Sequence, residues 1–296
     1  MPQPLVVIHA GAGRRFGTAA EQEERSREAL VQALDAARAV LAQGGDACAA
    51  VQAAVRVLED FELFNAGRGA VLCADGSVEL SAALMSSDAA AGAVAGISRT
   101  RFPIAGAHAV LTSPQVLMVG EAADRLAAQA GAEQVTPEYF ITERERARLH
   151  ELPAGPDHAT VGAVCRDRDG GLAAGTSTGG IRAQPPGRVG DCPLIGSGTW
   201  ADARVAVSCT GEGEAFIRVG AARYIGALVE HGVELSEATR RTLDAVRGLG
   251  GNGGLIALDV RGNAVMPFNT GGMARGIWRE GQAPEAWVTE EQPQAG

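Results

Sequence analysis

The apolar segments of this 296-residue chain arrive in pairs, and that pairing limits the fold more than any other feature. Residues 161–165 and 172–177 are apolar runs on either side of an Asp- and Gly-containing turn at 167–171. Residues 70–74 and 77–84 flank Asp75-Gly76, a dipeptide that suits a type I′ hairpin turn. Residues 255–259 and 264–268 read as a closing hairpin, Ala91–Ile97 extends the sheet, and 205–209 is one more strand. Residues 5–9 form a buried strand running into glycines. Helices are paired too. Leu30, Leu34, Ala37 and Leu41 share one face, and Val51, Val55 and Leu58 share the next, with Asp46 as N-cap. Further helices are expected at 214–230, at 236–247, and from Ser113-Pro114, with Ser as cap and Pro in the first turn. A doubly wound parallel sheet needs single strands alternating with single helices. This order predicts a layered α+β fold with mainly antiparallel sheets.

Forty glycines are about twice the usual ~7% share, but they follow no three-residue period, so neither collagen nor a disordered chain fits. A formal charge of −9 argues against nucleic acid and anionic membrane surfaces and leaves small molecules as partners. The N-terminal MPQPLVVIHAGAG has neither the basic start nor the apolar length of a signal or spanning segment, which points to a cytoplasmic protein. Cys48, Cys73, Cys165, Cys192 and Cys209 are odd in number and never spaced C-x-x-C, so they read as packing residues. Residues 131–157 lose periodicity and read as an exposed linker with one solvated helix at most.

No phosphate-binding loop, G-x-S-x-G or H-E-x-x-H occurs, and the five histidines are scattered. The second half is instead rich in hydroxyls and glycines: DHATVGAV, GTSTGG, PGRVGDCPLIGSG and SCTGEGE. Threonine needs no histidine to act as a nucleophile when it is the first residue of its chain, because its own α-amine, of pKa about 7.7 to 8.0, accepts the hydroxyl proton. Thr160 is internal, so such a role requires prior cleavage of the Ala159-Thr160 bond.

These segments, with LEDFELFNAGRGAVLCADGSVEL before them, closely resemble the plant-type asparaginase and isoaspartyl peptidase family of N-terminal nucleophile hydrolases, from IHAGAG to FNTGGMARG. The resemblance implies one domain over 1–296, a four-layer αββα sandwich, self-cleaved into an α chain (1–159, with its linker at about 131–159) and a β chain (160–296) that pair further into a homodimer. It implies that Thr160 is the nucleophile of both self-cleavage and turnover, and that Thr178 orients its hydroxyl. Thr210 and the Gly211 N–H would form the oxyanion hole, with Asn65 beside the nucleophile. Arg188 and Asp191 would clamp the α-carboxylate and α-ammonium of an aspartyl substrate, against the backbone at Gly213. Main-chain carbonyls of Leu58, Glu59, Phe61, Phe64, Ala66 and Arg68 match a loop that holds a structural sodium ion; catalysis itself needs no cofactor.

The substrates implied are L-asparagine and β-aspartyl dipeptides, which present the same β-carbonyl beside a free amino-acid head. Alternatives are a glycosylasparaginase-like hydrolase and an uncleaved relative that binds aspartyl metabolites without turnover. Ala159 stands where the family has glycine, so cleavage would be slowed, prevented or dependent on a different local strain. Ala10 replaces a glycine of the opening motif, Ser81 an acidic residue, and Ser86-Ser87 a common Asp-Gly. Glu212 adds charge between the glycines of the oxyanion loop.

Overall fold

Val6, Ile8 and Ala10 of the first strand join one apolar cluster, Leu5, Val7 and Ala12 join another, and all six are buried. A strand with two apolar faces needs a layer on each side. The computed structural model, which describes residues 2–13, 20–149 and 159–288, supplies both. The chain runs β1 (Leu5–Ala12), α1 (Ala20–Ala42), α2 (Ala47–Asp60), β2 (Leu80–Ser86), β3 (Ala91–Ile97), α3 (Pro103–Leu111), β4 (Leu117–Val119), α4 (Gly120–Gln129) and α5 (Glu143–Arg148). It continues with β5 (Val161–Arg166), β6 (Leu172–Thr178), β7 (Thr199–Ala201), β8 (Val205–Gly211), α6 (Gly213–Val219), α7 (Ala221–Glu230) and α8 (Leu235–Gly248). It closes with β9 (Gly253–Asp259), β10 (Ala264–Val265), β11 (Met273–Arg279) and β12 (Glu285–Trp287).

One sheet has eight strands in the order β12-β11-β1-β5-β6-β2-β3-β4, and the other has four, β10-β9-β8-β7. Only the β3–β4 pair is parallel among the described strands, so the sheets are mainly antiparallel as expected. Three apolar interfaces hold the layers. Helices α1 to α3 cover the large sheet through Leu30, Leu34, Val51, Val55, Ile104 and Val110. The two sheets meet through Val7, Val164, Ala174, Ala206, Ile256 and Leu258. Helices α6 to α8 cover the small sheet through Phe216, Ile225, Leu243 and Val246. The β5–β6 hairpin is therefore central in its sheet and covered on both faces, a rigid base for residues at its open end.

The paired helices form as read, with Asp46 Oδ1 accepting from Ala49 N at 2.8 Å at the start of α2. Several expectations are corrected. Residues 70–74 are not a strand: Val71 N, Ala74 N and the Leu72 carbonyl bond to Asn65 and to Ala183 and Gln184, so no ladder is left for a partner. A turn remains, with Gly76 at φ +82° and its N–H on Cys73 O, but Asp75 is outside the left-handed region that a type I′ turn needs, and the strand expected from Ser77 starts at Leu80. No helix starts at Ser113-Pro114; Ser113 Oγ donates back to Val110 O, behind the end of α3, and the next residues pair with β3. The helix expected at 214–230 is two, broken at Gly220 in the left-handed region (φ +64°). The described part of the linker is docked, not free: Phe140 is fully buried and Tyr139 Oη donates to Asp60 at 2.9 Å. Residues 150–158 of that linker lie outside the described residues.

Helix α3 carries no helical period in the sequence because, apart from His108, it is apolar all round. It lies directly on β3. A Cβ at Gly92 would run into Leu111 N and Ala107 O and come within 2.6 Å of Leu111 Cα, whereas one at Gly106 would meet only side chains at 3.5 Å or more. Gly92→Ala is therefore expected to destabilise the fold by about 2–3 kcal/mol, while Gly106→Ala is neutral or gains about 0.5–1 kcal/mol from the helix preference of alanine. Denaturant unfolding of both variants checks this; equal effects would mean that α3 does not pack as described.

Candidate active site

The register of the central hairpin sets the first part of the site. Val161 pairs with Ser177, which brings Thr160, one residue before β5, opposite Thr178 at the end of β6. Thr160 Oγ1 donates to Thr178 Oγ1 at 3.1 Å. Thr178 Oγ1 also accepts from Gly180 N at 3.0 Å and sits 3.4 Å from Ala159 O, to which it donates. One hydroxyl thus touches both the candidate nucleophile and the carbonyl preceding it. Asn65 closes the other side: its Nδ2 donates to Ala159 O and to Gly180 O, each at 2.7 Å, and its Oδ1 accepts from Val71 N at 2.9 Å.

Behind this pair a ladder of buried hydroxyls joins the sheets. His9 Nε2 lies 2.9 Å from Ser208 Oγ, which is 2.7 Å from Thr176 Oγ1, itself 2.7 Å from Thr199 Oγ1. Burial pushes the imidazole of His9 down to about 3, against the opposite pull of the adjoining Thr160 main chain, so His9 is neutral at ordinary pH. Ser208 and Thr210 are two residues apart on β8 and share a face. Thr210 is fully buried, and its Oγ1 has no hydrogen-bond partner among the described residues. An orphaned buried hydroxyl costs about 1–3 kcal/mol. The next residue, Gly211, has φ +145°, and a Cβ there would strike Asn252 O and lie 2.5 Å from Gly253 Cα.

The second part gathers around a glycine. A Cβ on Gly213 would be 3.0 Å from Arg188 Nη2, from Asp191 N and from Asp191 Oδ1, so an arginine and a buried carboxyl converge on one bare stretch of backbone. Asp191 is 5% exposed, and its Oδ2 has no partner among the described residues. Burial pushes its carboxyl up to about 7, although Arg188 draws it down. Contacts link this group to the hairpin: Ser81 pairs with Thr178, and the Ser81 carbonyl accepts from the thiol of Cys192, next to Asp191. Gln184 adds a second link, with Oε1 accepting from Ile181 N at 3.0 Å and lying 3.5 Å from Arg188 Nη1.

The family model described as Asparaginase matches residues 2–288. The chain is 44% identical to the isoaspartyl peptidase of Salmonella typhimurium, over 98% of this chain and 100% of that one. It is also 44% identical to the isoaspartyl peptidase of Escherichia coli, over 98% of both chains, and 35% identical to the human isoaspartyl peptidase/L-asparaginase, over 94% of both. The chain belongs to the asparaginase family.

Within that family reading, the structure groups Thr160, Thr178, Asn65 and Ala159 in one hydrogen-bonded cluster and Arg188, Asp191 and Gly213 in another. Thr210 and Gly211 lie on the strand end that leads into Gly213. The loop after α2 is a third feature: a Cβ on Gly67 (φ +52°) would strike Glu59 O, and one on Gly69 would strike Phe64 O and lie 2.8 Å from Glu62 O. Its Glu59 side chain is buried, with Oε1 accepting from Ile104 N at 2.9 Å, and burial pushes the carboxyl up to about 8. Glu212, read as extra charge in the oxyanion loop, accepts from Asn252 Nδ2 at 3.2 Å. Ser208, Gln184 and Glu214 were not singled out in the sequence, and His9 only as part of its opening motif. Each is identified by a partner at least 26 positions away: His9 and Ser208 by each other, Glu214 by Arg188, and Gln184 by Cys73 Sγ and Ala74 N. Among the described residues no group of His, Cys, Asp and Glu could hold a metal ion, and no helix is long and apolar enough to cross a membrane.

Asp191 and Glu59 should both hold their protons at pH 5 and release them on alkalinisation, near 7 and 8 respectively. Infrared titration between pH 5 and 9 should show two carboxylic-acid bands converting to carboxylate. Asp191→Asn should remove the lower transition and Glu59→Gln the upper. Two groups already ionised at pH 5 would contradict the burial described.

Proposed function

We propose that this chain is a self-processing amidohydrolase that releases ammonia from L-asparagine and cleaves β-aspartyl dipeptides through an acyl-enzyme on Thr160. The observation that carries the reading is the convergence of the Thr178 hydroxyl and the Asn65 amide on the carbonyl of Ala159, with the Thr160 hydroxyl bonded to the same Thr178 oxygen. In the first reaction Thr160 Oγ attacks that carbonyl carbon. Asn65 Nδ2, already 2.7 Å from the oxygen, takes up the charge that develops there. Collapse breaks the peptide C–N bond and leaves an ester between Ala159 and Thr160 Oγ, with the proton passed to the freed amine. Water hydrolyses the ester. The products are an α chain, 1–159, ending in a carboxylate, and a β chain, 160–296, starting with Thr160, in an N-terminal nucleophile sandwich.

The freed α-amine then serves as the base that the scattered histidines do not provide. It takes the proton of Thr160 Oγ as the oxygen attacks the β-carbonyl of a substrate. Thr178 orients the hydroxyl, and the Thr210 hydroxyl and Gly211 N–H donate to the oxyanion. The unpartnered state of Thr210 Oγ1 suits that task. Ammonia or an amino acid leaves with the proton, and water repeats the cycle on the aspartyl ester. Arg188 grips the α-carboxylate and Asp191 the α-ammonium, an ion that would hold the buried Asp191 carboxyl in its charged form.

A structural sodium ion fits the loop after α2. The bare glycines 67 and 69 let the carbonyls of Glu59, Glu62 and Phe64 crowd inward, and a hard monovalent cation binds such oxygens. Carbonyls of Leu58, Glu59, Phe61, Phe64, Ala66 and Arg68 would hold it. It would steady Asn65, which lies within that stretch, and take no part in the chemistry.

Purified protein should run as two fragments divided before Thr160, with intact masses to match, and should release ammonia from asparagine. Thr160→Ala should stay a single chain and be inactive. Asn65→Ala should slow cleavage by about 10²–10³-fold, the usual loss for one oxyanion donor. A single chain that hydrolyses asparagine, or Thr160→Ala at the parental rate, would overturn the proposal.

A further inference from the structure

Arg188 is held by a carboxylate outside the expected clamp. Glu214, in the first turn of α6, binds the guanidinium side-on: Nε donates to Oε1 and Nη2 to Oε2, each at 2.9 Å. A guanidinium carries five N–H donors in a rigid plane. The side-on pair takes two of them, and Nη1 directs a third at Gln184 Oε1 over a long 3.5 Å, which leaves the second Nη2 hydrogen and the second on Nη1. That remaining edge borders residues without side chains. A Cβ at Gly190 would lie 2.9 Å from Nη1, and one at Gly213 would lie 3.0 Å from Nη2 and against Asp191. The arginine side chain is 14% exposed and that of Glu214 59%, so the acid approaches from the solvent side while the open edge faces the glycines and the buried carboxyl.

We propose that Glu214 is a positioning residue for substrate binding: it pins the side-on edge of Arg188 so that the end-on edge, kept clear by Gly190 and Gly213, meets the α-carboxylate of an aspartyl substrate. This rests on the reading of Arg188 as the carboxylate clamp. One arginine thereby serves two carboxylates, one internal and permanent, the other the ligand's. The geometry separates the two edges, so Glu214 and substrate cooperate at Arg188 and do not compete for it. The solvent-facing placement of Glu214 screens its charge, leaving Arg188 attractive to an incoming anion.

Steady-state kinetics of the processed enzyme with L-asparagine and β-aspartyl-leucine test this in Glu214→Ala, Glu214→Gln, Arg188→Ala and the double alanine variant. Glu214→Ala should raise KM about tenfold while kcat stays within about twofold, because only the aim of the clamp is loosened. Glu214→Gln, which keeps the shape and one acceptor, should fall between, and it decides the matter should the alanine variant not fold. In the Arg188→Ala background Glu214→Ala should add nothing, the coupling that a merely structural role would not produce. A KM that is unchanged or lowered in Glu214→Ala and Glu214→Gln, with Arg188→Ala raising it, overturns the role of Glu214 alone. An equal rise in KM with and without Arg188 also overturns it. A KM unchanged in Arg188→Ala overturns the clamp itself.

Discussion

One side-chain amide ties together the segments on which the site depends. Asn65 reaches Ala159 O and Gly180 O through Nδ2 and Val71 N through Oδ1, and its own carbonyl accepts from Gly179 N. Through these bonds the peptide before Thr160, the turn after Thr178 and the loop after α2 share one fixed point. The fit leaves no slack: a Cβ at Gly179 would lie 2.5 Å from Asn65 Oδ1 and from the Cβ of Ala70. Asparagine supplies a donor and an acceptor at one carbon, and neither aspartate nor leucine could make both sets of contacts. The position of the Ala159 carbonyl beside Asn65 and Thr178 is thus specified by packing, with Ala159 held by the same oxygen that a glycine would present.

The layers around that point keep the one histidine near it from carrying charge. Two sheets bury His9 until it is neutral, and they align the hydroxyls of Ser208, Thr176 and Thr199 as a rigid polar seam in an otherwise apolar interface. The hydroxyls of the seam bond to one another, whereas Thr210 Oγ1 and Asp191 Oδ2 have no partners among the described residues. Orphaned buried groups destabilise a fold, and under the proposed function a small zwitterion would complete these two.

Much of this was legible in the sequence, and the parts that were not share a physical cause. The hairpin bearing Thr160 and Thr178 announces itself because strand alternation and a turn are local properties, as is the Asp46 cap of α2. The strands β7, β11 and β12 and the helix α3 carry weak or uniform patterns; β11 is fixed by pairing with β1, some 270 positions earlier. The expected strand at 70–74 failed for the converse reason, since the backbone found partners in Asn65 and the loop at Ala183 and Gln184. The site divides the same way. Asn65, Arg188, Asp191 and Gly213 stand in motifs that the family resemblance makes readable, while Glu214 and Gln184 acquire meaning only from the arginine they touch.

The central claim is that Thr160 carries the substrate's acyl group on a chain terminus created by the fold. Rapid acid quench of the enzyme during turnover of L-asparagine, followed by mass spectrometry of the fragment that begins at Thr160, tests it most directly. The account predicts an aspartyl adduct confined to that first residue, lost on further incubation. An adduct on any other side chain, or turnover by a chain that still contains the Ala159-Thr160 bond, would contradict it.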